Sequence, residues 1–164
     1  MTTSAFLLLG SNQGDAKSYL AMAKEAITQN IGGLLKESSI YLTSAWGKTD
    51  QPDFLNQVIE IAFKGNPSSL LTSILDIENK MGRVRIEKWG TRIIDIDILF
   101  CGDQMVDEPL LQVPHPQIPY RRFTLIPLVE IAPDFIHPVL QKSNRQLLNE
   151  CTDLLEVKKL VILY

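Results

Sequence analysis

Asp95 and Asp97 stand two residues apart in residues 89–100, WGTRIIDIDILF, where isoleucine, leucine and phenylalanine fill the rest of the second half. Side chains alternate faces along a strand, so both carboxylates point the same way, with Cα atoms roughly 6.6 Å apart. Converging anions repel, and burial among isoleucines pushes at least one towards protonation unless something positive joins them. Just upstream lies GRVRIEKWGTR, which sets Arg83, Arg85, Lys88 and Arg92 against the single acid Glu87 and carries Gly82 and Gly90. Arginine forks match phosphate oxygens. Magnesium suits paired carboxylates, because it keeps several waters and shares itself with substrate phosphates. Acids that hold metal, metal that holds polyphosphate and a cationic loop that closes over both form one consistent set. Each half alone has an ordinary explanation: a strand with a polar outer face, and arginines favoured by the end of a preceding helix. Ile93 and Leu99, expected on the aspartate face, argue against a solvated side.

Other polar residues break apolar patterns. Leu70, Leu71, Ile74, Ile77 and Met81 form a helical stripe that contains Glu78. Glu78 is either a helix-end carboxylate reaching solvent or a buried acid that needs a partner. Gly10-Ser11-Asn12-Gln13-Gly14 follows an apolar run but lacks both the Walker ending and the dinucleotide glycine spacing, so it reads as a plain turn. His115 lies between prolines in VPHPQIP, as a loop residue or a phosphate or ribose contact near Arg121. Asn56 sits two after Phe54, on one strand face where an apolar residue is expected. Phe54 and Phe123 read first as core.

The elements that position these residues follow from periodicity and punctuation. A buried strand is expected over 5–9, turn chemistry over 10–15, and a helix to about 30 that Gly32-Gly33 closes. Strands are expected over 34–43 and 54–63, separated by the long loop SAWGKTDQPD. Asn66-Pro67 is an N-cap and N1 pair for a helix to Met81, with Gly82 as its C′ residue. The cationic loop then feeds a strand over 93–100. Strand, helix, strand, strand, helix, strand is the ferredoxin-like βαββαβ order, an α+β fold whose helices cover one face of an antiparallel sheet. A hairpin at Gly102-Asp103, helices over 121–131 and 143–151, and a final apolar strand complete the expectation.

The 164 residues fit one domain, 1–164, with 45% hydrophobic and 21% charged residues. A net charge of −3 offers no basic field for nucleic acid or an anionic membrane. The start, MTTSAFLLLG, has no basic leader and too short an apolar run for a signal peptide or span. Cys101 and Cys151 have no metal spacing, so reduced thiols and a cytoplasmic location are expected. A monomer is expected.

Taken in order, GSN, QPDFLN, IENKMGRVR, KWGTRIIDIDILF, VPHP and RRFTLIPLVEIAP make the sequence resemble the 6-hydroxymethyl-7,8-dihydropterin pyrophosphokinases of folate biosynthesis. The ordered set spans the chain except for about its last 25 to 30 residues. The resemblance implies pyrophosphate transfer from ATP to the pterin hydroxymethyl group with release of AMP, on a ferredoxin-like fold with two magnesium ions (Mg2+). It implies that Asp95 and Asp97 ligate both metals, and that Arg83, Arg92 and Trp89 lie on a catalytic lid. Glu78, Arg85, Lys88, Trp89, Arg92, Ile98, His115 and Arg121 are implied at the nucleotide. Thr43, Ser44, Trp46, Phe54, Asn56, Asp95 and Phe123 are implied at the pterin. There a flat heterocycle can stack between two phenylalanines while Asn56 offers its edge a donor and an acceptor.

Thr91, Leu75 and Pro116 depart from residues common in that family and bear on adenine and ribose contacts, not on the reaction. The length suits a monofunctional enzyme rather than a fusion with dihydroneopterin aldolase or dihydropteroate synthase. Two rival readings are an RNA-recognition module, which lacks an RNP1-like stretch here, and a ligand-sensing domain, which needs no acids on the last core strand.

Overall fold

The computed structural model describes residues 3–44, 53–82 and 93–161. Strand β1 (Thr3–Ser11) is an inner strand of the sheet, hydrogen-bonded to β4 (Phe54–Phe63) on one side and β5 (Asp95–Cys101) on the other, both antiparallel. A strand covered on both faces must be apolar on both, which is why β1 reads as a continuous apolar run. Its turn chemistry begins later than expected. Gly10 and Ser11 still pair with Asn56 and Leu55, and the Ser11 hydroxyl donates to the Ile93 carbonyl.

The expected strand over 34–43 is two strands, β2 (Leu34–Glu37) and β3 (Tyr41–Thr43), both antiparallel to β4. Ser38 makes the break. Its amide donates to the Val58 carbonyl, but its hydroxyl, not a main-chain carbonyl, accepts the Val58 amide at 3.0 Å. A side chain thus completes the ladder while the backbone bends away. With β2 and β3 together in second place, the order β5-β1-β4-β3 is ferredoxin-like. Strand β8 (Val157–Lys159) extends it, pairing antiparallel with β3, so the C-terminal strand joins the main sheet. It lies earlier than the apolar end of the chain suggests.

Helix α1 (Ala16–Asn30) starts at an Asp15 cap, and α2 (Pro67–Lys80) at an Asn66–Ser69 capping box with proline in its first turn. Gly82 follows at φ +81°, the left-handed conformation expected of a C′ glycine. Leu20, Ala23 and Ile27 of α1 and Leu70, Ile74 and Ile77 of α2 pack on Ala5, Leu7, Leu9, Ile59 and Ile61.

The opposite face is also covered, which corrects the expectation of helices on one side only. Helices α3 (Arg122–Ile131) and α4 (Asn144–Glu150) bring Leu125, Leu128, Ile131 and Leu147 onto Phe6, Leu8, Val58 and Phe100. The alternation of β1 therefore feeds two cores, one for each pair of helices. The expected hairpin is displaced. Gly102-Asp103 is a turn at φ +55° whose glycine amide donates to the Ser4 carbonyl, while β6 (Val106–Glu108) and β7 (Leu111–Val113) reverse at Pro109-Leu110. Among the described residues no helix is long and apolar enough to cross a membrane.

Candidate active site

Alternation along β5 sends Ile94, Ile96 and Ile98 into the core beneath α1 and α2. Asp95 and Asp97 project from the other face, half-buried, and share one cavity of about 650 Å³. The acid-bearing face ends at an irregularity. Leu7 pairs with Ile98 and Phe6 with Phe100, so Leu99 is an extra residue, and both Leu99 and Phe100 fall on the second face. The Leu99 carbonyl accepts the His115 amide at 3.0 Å, bringing the VPHP segment, with its cis Val113–Pro114 peptide, beside the acids.

The floor of the cavity is set by cross-strand register. Asn56 on β4 and Asp95 on β5 both pair with Gly10 on the strand between them. Glycine leaves a trough there: a Cβ on Gly10 would lie 2.8 Å from Asn56 Oδ1. Asn56 Nδ2 donates to the Thr43 hydroxyl at 3.2 Å, and both side chains are buried. Phe54, Ser44 and Phe123 line the same space, as does Arg121, whose guanidinium carbon lies 5.5 Å from the Phe123 ring centroid. A half-apolar trough with one amide and two carboxylates suits a flat, polar-edged ring beside an anionic group.

His115 is held by its neighbours. Its Nδ1 accepts the Gln117 amide at 3.1 Å, which leaves the proton of the neutral ring on Nε2. Burial pushes its pKa down, the Asp97 charge pulls it up, and Arg121 lowers it further, so the net direction is below the usual 6.5.

Thr43, Ser44, Phe54, Asn56, Asp95, Asp97, Arg121 and Phe123 come together in the cavity. Of the residues expected at the nucleotide, His115 stands beside the cavity without lining it, and two sit elsewhere. Ile98 is buried in the core on the face away from the aspartates. Glu78 is 3% exposed, which removes the solvent-reaching alternative, and its Oε2 accepts the Ile96 amide at 3.0 Å from the outer edge of β5. Trp46, Arg83, Arg85, Lys88, Trp89 and Arg92, with Thr91, lie outside the described residues. Leu8, Gln117, Tyr120, Asp153 and Leu155 also line the cavity without having been expected there, as does Gly10, which the sequence presents as part of a plain turn. For Gly10 a signal existed, a glycine at the end of a buried strand; nothing local marks Asp153 or Leu155.

Among the described residues no group of three or more His, Cys, Asp or Glu is assembled as a metal cage. Two carboxylates on one strand face are nonetheless the donor set that fits magnesium, whose remaining positions go to water and phosphate.

A family model described as 7,8-dihydro-6-hydroxymethylpterin-pyrophosphokinase (HPPK) matches residues 6–133. Among relatives named 2-amino-4-hydroxy-6-hydroxymethyldihydropteridine pyrophosphokinase, that of Synechocystis is 40% identical over 88% of this chain and 75% of its own. That of Aquifex aeolicus is 40% identical over 91% and 92%, and that of Bacillus subtilis 42% identical over 80% and 79%. In fold, the chain is similar to wild-type Plasmodium falciparum HPPK-DHPS, with a TM-score of 0.74 and 20% identity over 92% of this chain and 45% of that one. The crystal structure of the same wild-type protein with pteroate gives a TM-score of 0.76, at 19% identity over 92% and 44%. This chain thus spans less than half the length of those solved structures. Together with the residues gathered around Asp95 and Asp97, these matches show that the chain belongs to the 7,8-dihydro-6-hydroxymethylpterin-pyrophosphokinase family.

Proposed function

We propose that the protein transfers the terminal pyrophosphoryl group of ATP to the hydroxymethyl oxygen of 6-hydroxymethyl-7,8-dihydropterin, releasing AMP, as a step in folate biosynthesis. The observation that carries this reading is the shared cavity: Asp95 and Asp97 open into the same space as Phe54, Asn56 and Phe123. The pterin ring stacks between the two phenylalanines, and the Asn56 amide meets its polar edge. A ring with the wrong edge leaves a buried amide unpaired, which discriminates strongly against it.

In the transfer, the hydroxymethyl oxygen forms a bond to the β-phosphorus in line with the breaking bond to the α-phosphate oxygen, and the hydroxyl proton leaves. On this reading Asp97 accepts that proton. Asp95 and Asp97 together would hold two magnesium ions, which supply charge neutralisation on the phosphate oxygens when bound. Arg121 and His115 face the phosphate or ribose. Arg83, Arg92 and Trp89, with Arg85 and Lys88, belong to a cationic loop that closes over the triphosphate and, with the loop 44–53 that carries Trp46, excludes water. Glu78 and Ile98 act through the strand that bears the acids. The enzyme works as a cytoplasmic monomer and binds no nucleic acid.

Thermal unfolding with added ligands tests the reading. Pterin and a magnesium-bound, non-hydrolysable ATP analogue together should raise the midpoint beyond either alone. No shift with the pair, or a salt-sensitive shift with RNA alone, would contradict it.

A further inference from the structure

We propose that Asp153 is a positioning residue of the substrate cavity, holding the first turn of α3, and with it Arg121 and Phe123, from the C-terminal segment. The inference rests on the pterin reading of the cavity.

Helix α3 begins without a cap of its own. Arg121 occupies the N-cap position in extended conformation and makes no side-chain hydrogen bond to the first turn. Its carbonyl accepts the Thr124 and Leu125 amides at 3.1 and 3.0 Å. The Arg122 amide is one of the first-turn donors that a helix cannot satisfy internally. Asp153 Oδ2 accepts it at 3.0 Å, from 31 residues further along the chain. The other oxygen, Oδ1, accepts the Leu155 amide at 3.0 Å. One carboxylate therefore caps α3 and shapes the turn that follows itself, and its charge also suits a helix N-terminus.

The turn sorts its side chains. Asp153 and Leu155 face the cavity, whereas Leu154 between them is 96% exposed. Two residues on, Val157 pairs with Thr43, the residue whose hydroxyl accepts from Asn56. The segment is thus fastened to the cavity at two places, on α3 through Asp153 and on β3 through β8. Arg121 and Phe123 flank the capped residue, so loss of the cap reaches both. Each oxygen is engaged by a main-chain amide, and through the first of these bonds Asp153 acts on Arg121 and Phe123. The family match ends at residue 133, whereas this wall of the cavity continues to residue 155.

The test is steady-state kinetics of Asp153→Ala and Asp153→Asn in the full chain, with amide hydrogen exchange on the unsubstituted protein. Asp153→Ala should raise the pterin KM about tenfold through Phe123, the size of a lost helix cap, and raise the ATP KM through Arg121, with a smaller change in kcat. Asp153→Asn, which keeps one acceptor, should recover about half of that change on a logarithmic scale. The Arg122 and Leu155 amides should gain exchange protection when pterin saturates the protein. An unchanged pterin KM in a folded Ala variant would overturn the proposal, as would equal losses in all three constants that merely follow a falling midpoint. If the Ala variant does not fold, the Asn variant and the exchange data decide alone: no KM change and no protection overturn it. Failure of the unsubstituted protein to form AMP would instead overturn the pyrophosphokinase reading, and exchange at Arg122 would still report on the tether.

Discussion

The Glu78 carboxylate accepts the Ile96 amide at 3.0 Å, so an acid at the end of α2 grips the peptide that separates Asp95 from Asp97. Among the described residues strand β5 is at the edge of the sheet, and its outward amides need acceptors that no described strand supplies. Glu78→Ala should destabilise the fold by about 2 kcal/mol, the range for a hydrogen bond to a charged group. It should also lower turnover, by releasing the strand that carries both acids. Glu78→Gln, which keeps an acceptor, should lose less. Urea unfolding beside kinetics checks this, and an Ala variant as stable as the parent would remove the gripping role.

Turnover should depend on the two aspartates through a divalent cation. A chelator should abolish it, and magnesium should restore it. Asp97→Ala should lower kcat by about a thousandfold or more, since the carboxylate is assigned both metal ligation and proton acceptance. Pterin should still bind, as its stacking and amide contacts remain, and pterin fluorescence reads that directly. Substantial metal-dependent turnover in the Ala variant would be incompatible with these roles.

Gly10→Ala places a Cβ 2.8 Å from Asn56 Oδ1 and must push that amide aside. The pterin KM should rise about tenfold while the ATP KM stays within about twofold, because the clash lies on the ring side of the trough. An equal rise in both would place the nucleotide there instead.

One polar node ties α3 to the sheet edge. Glu130 accepts from the Ser39 amide and hydroxyl at 2.8 Å each and from the Tyr41 hydroxyl at 2.9 Å, with Lys159 Nζ at 3.7 Å. Burial and the Glu130 carboxylate push the Tyr41 pKa from 10.0 to about 12. Its contribution to stability is therefore complete below pH 10.0 and is lost as pH rises through about 12. Burial alone would raise Glu130, but the bonds from Ser39 and Tyr41 and the Lys159 charge hold it below 4.5. Its contribution is present above 4.5 and is lost as pH falls through the depressed value. Tyr41→Phe should flatten the alkaline loss of stability between those limits, measured as urea midpoint against pH. An unchanged alkaline limb would count against the node.

Acid should also act at His137, where burial holds the imidazole below 6.5. Its Nδ1 accepts the Val139 and Leu140 amides at 3.2 and 3.1 Å, and protonation breaks both. The contribution is present above pH 6.5 and is lost as pH falls through the folded value. Proton NMR should show the His137 ring less than half protonated at pH 6.5; a ring more than half charged there would contradict the assignment.

What the sequence displayed was whatever repeats with a period or is punctuated locally. The Asn66-Pro67 start of α2, the 54–63 strand and the shared face of Asp95 and Asp97 are of this kind, since each follows from neighbouring residues. The break at Ser38 was hidden, because it depends on a hydroxyl meeting Val58 20 residues away. The two later helices were legible, but the face they cover was not, since an inner strand that is apolar throughout does not say what covers each side. Glu78 was visible as an anomaly, but its partner, the Ile96 amide, belongs to main chain and leaves no mark on composition. Asp153 shows the limit most clearly: its role is set by a contact across 31 residues.

The most direct test is the nucleotide product. Purified protein with 6-hydroxymethyl-7,8-dihydropterin and magnesium-ATP should release AMP in equal amount with a diphosphorylated pterin, and none without the pterin. Release of ADP with a singly phosphorylated pterin, or no pterin-dependent nucleotide product at all, would contradict attack at the β-phosphorus beside Asp95 and Asp97.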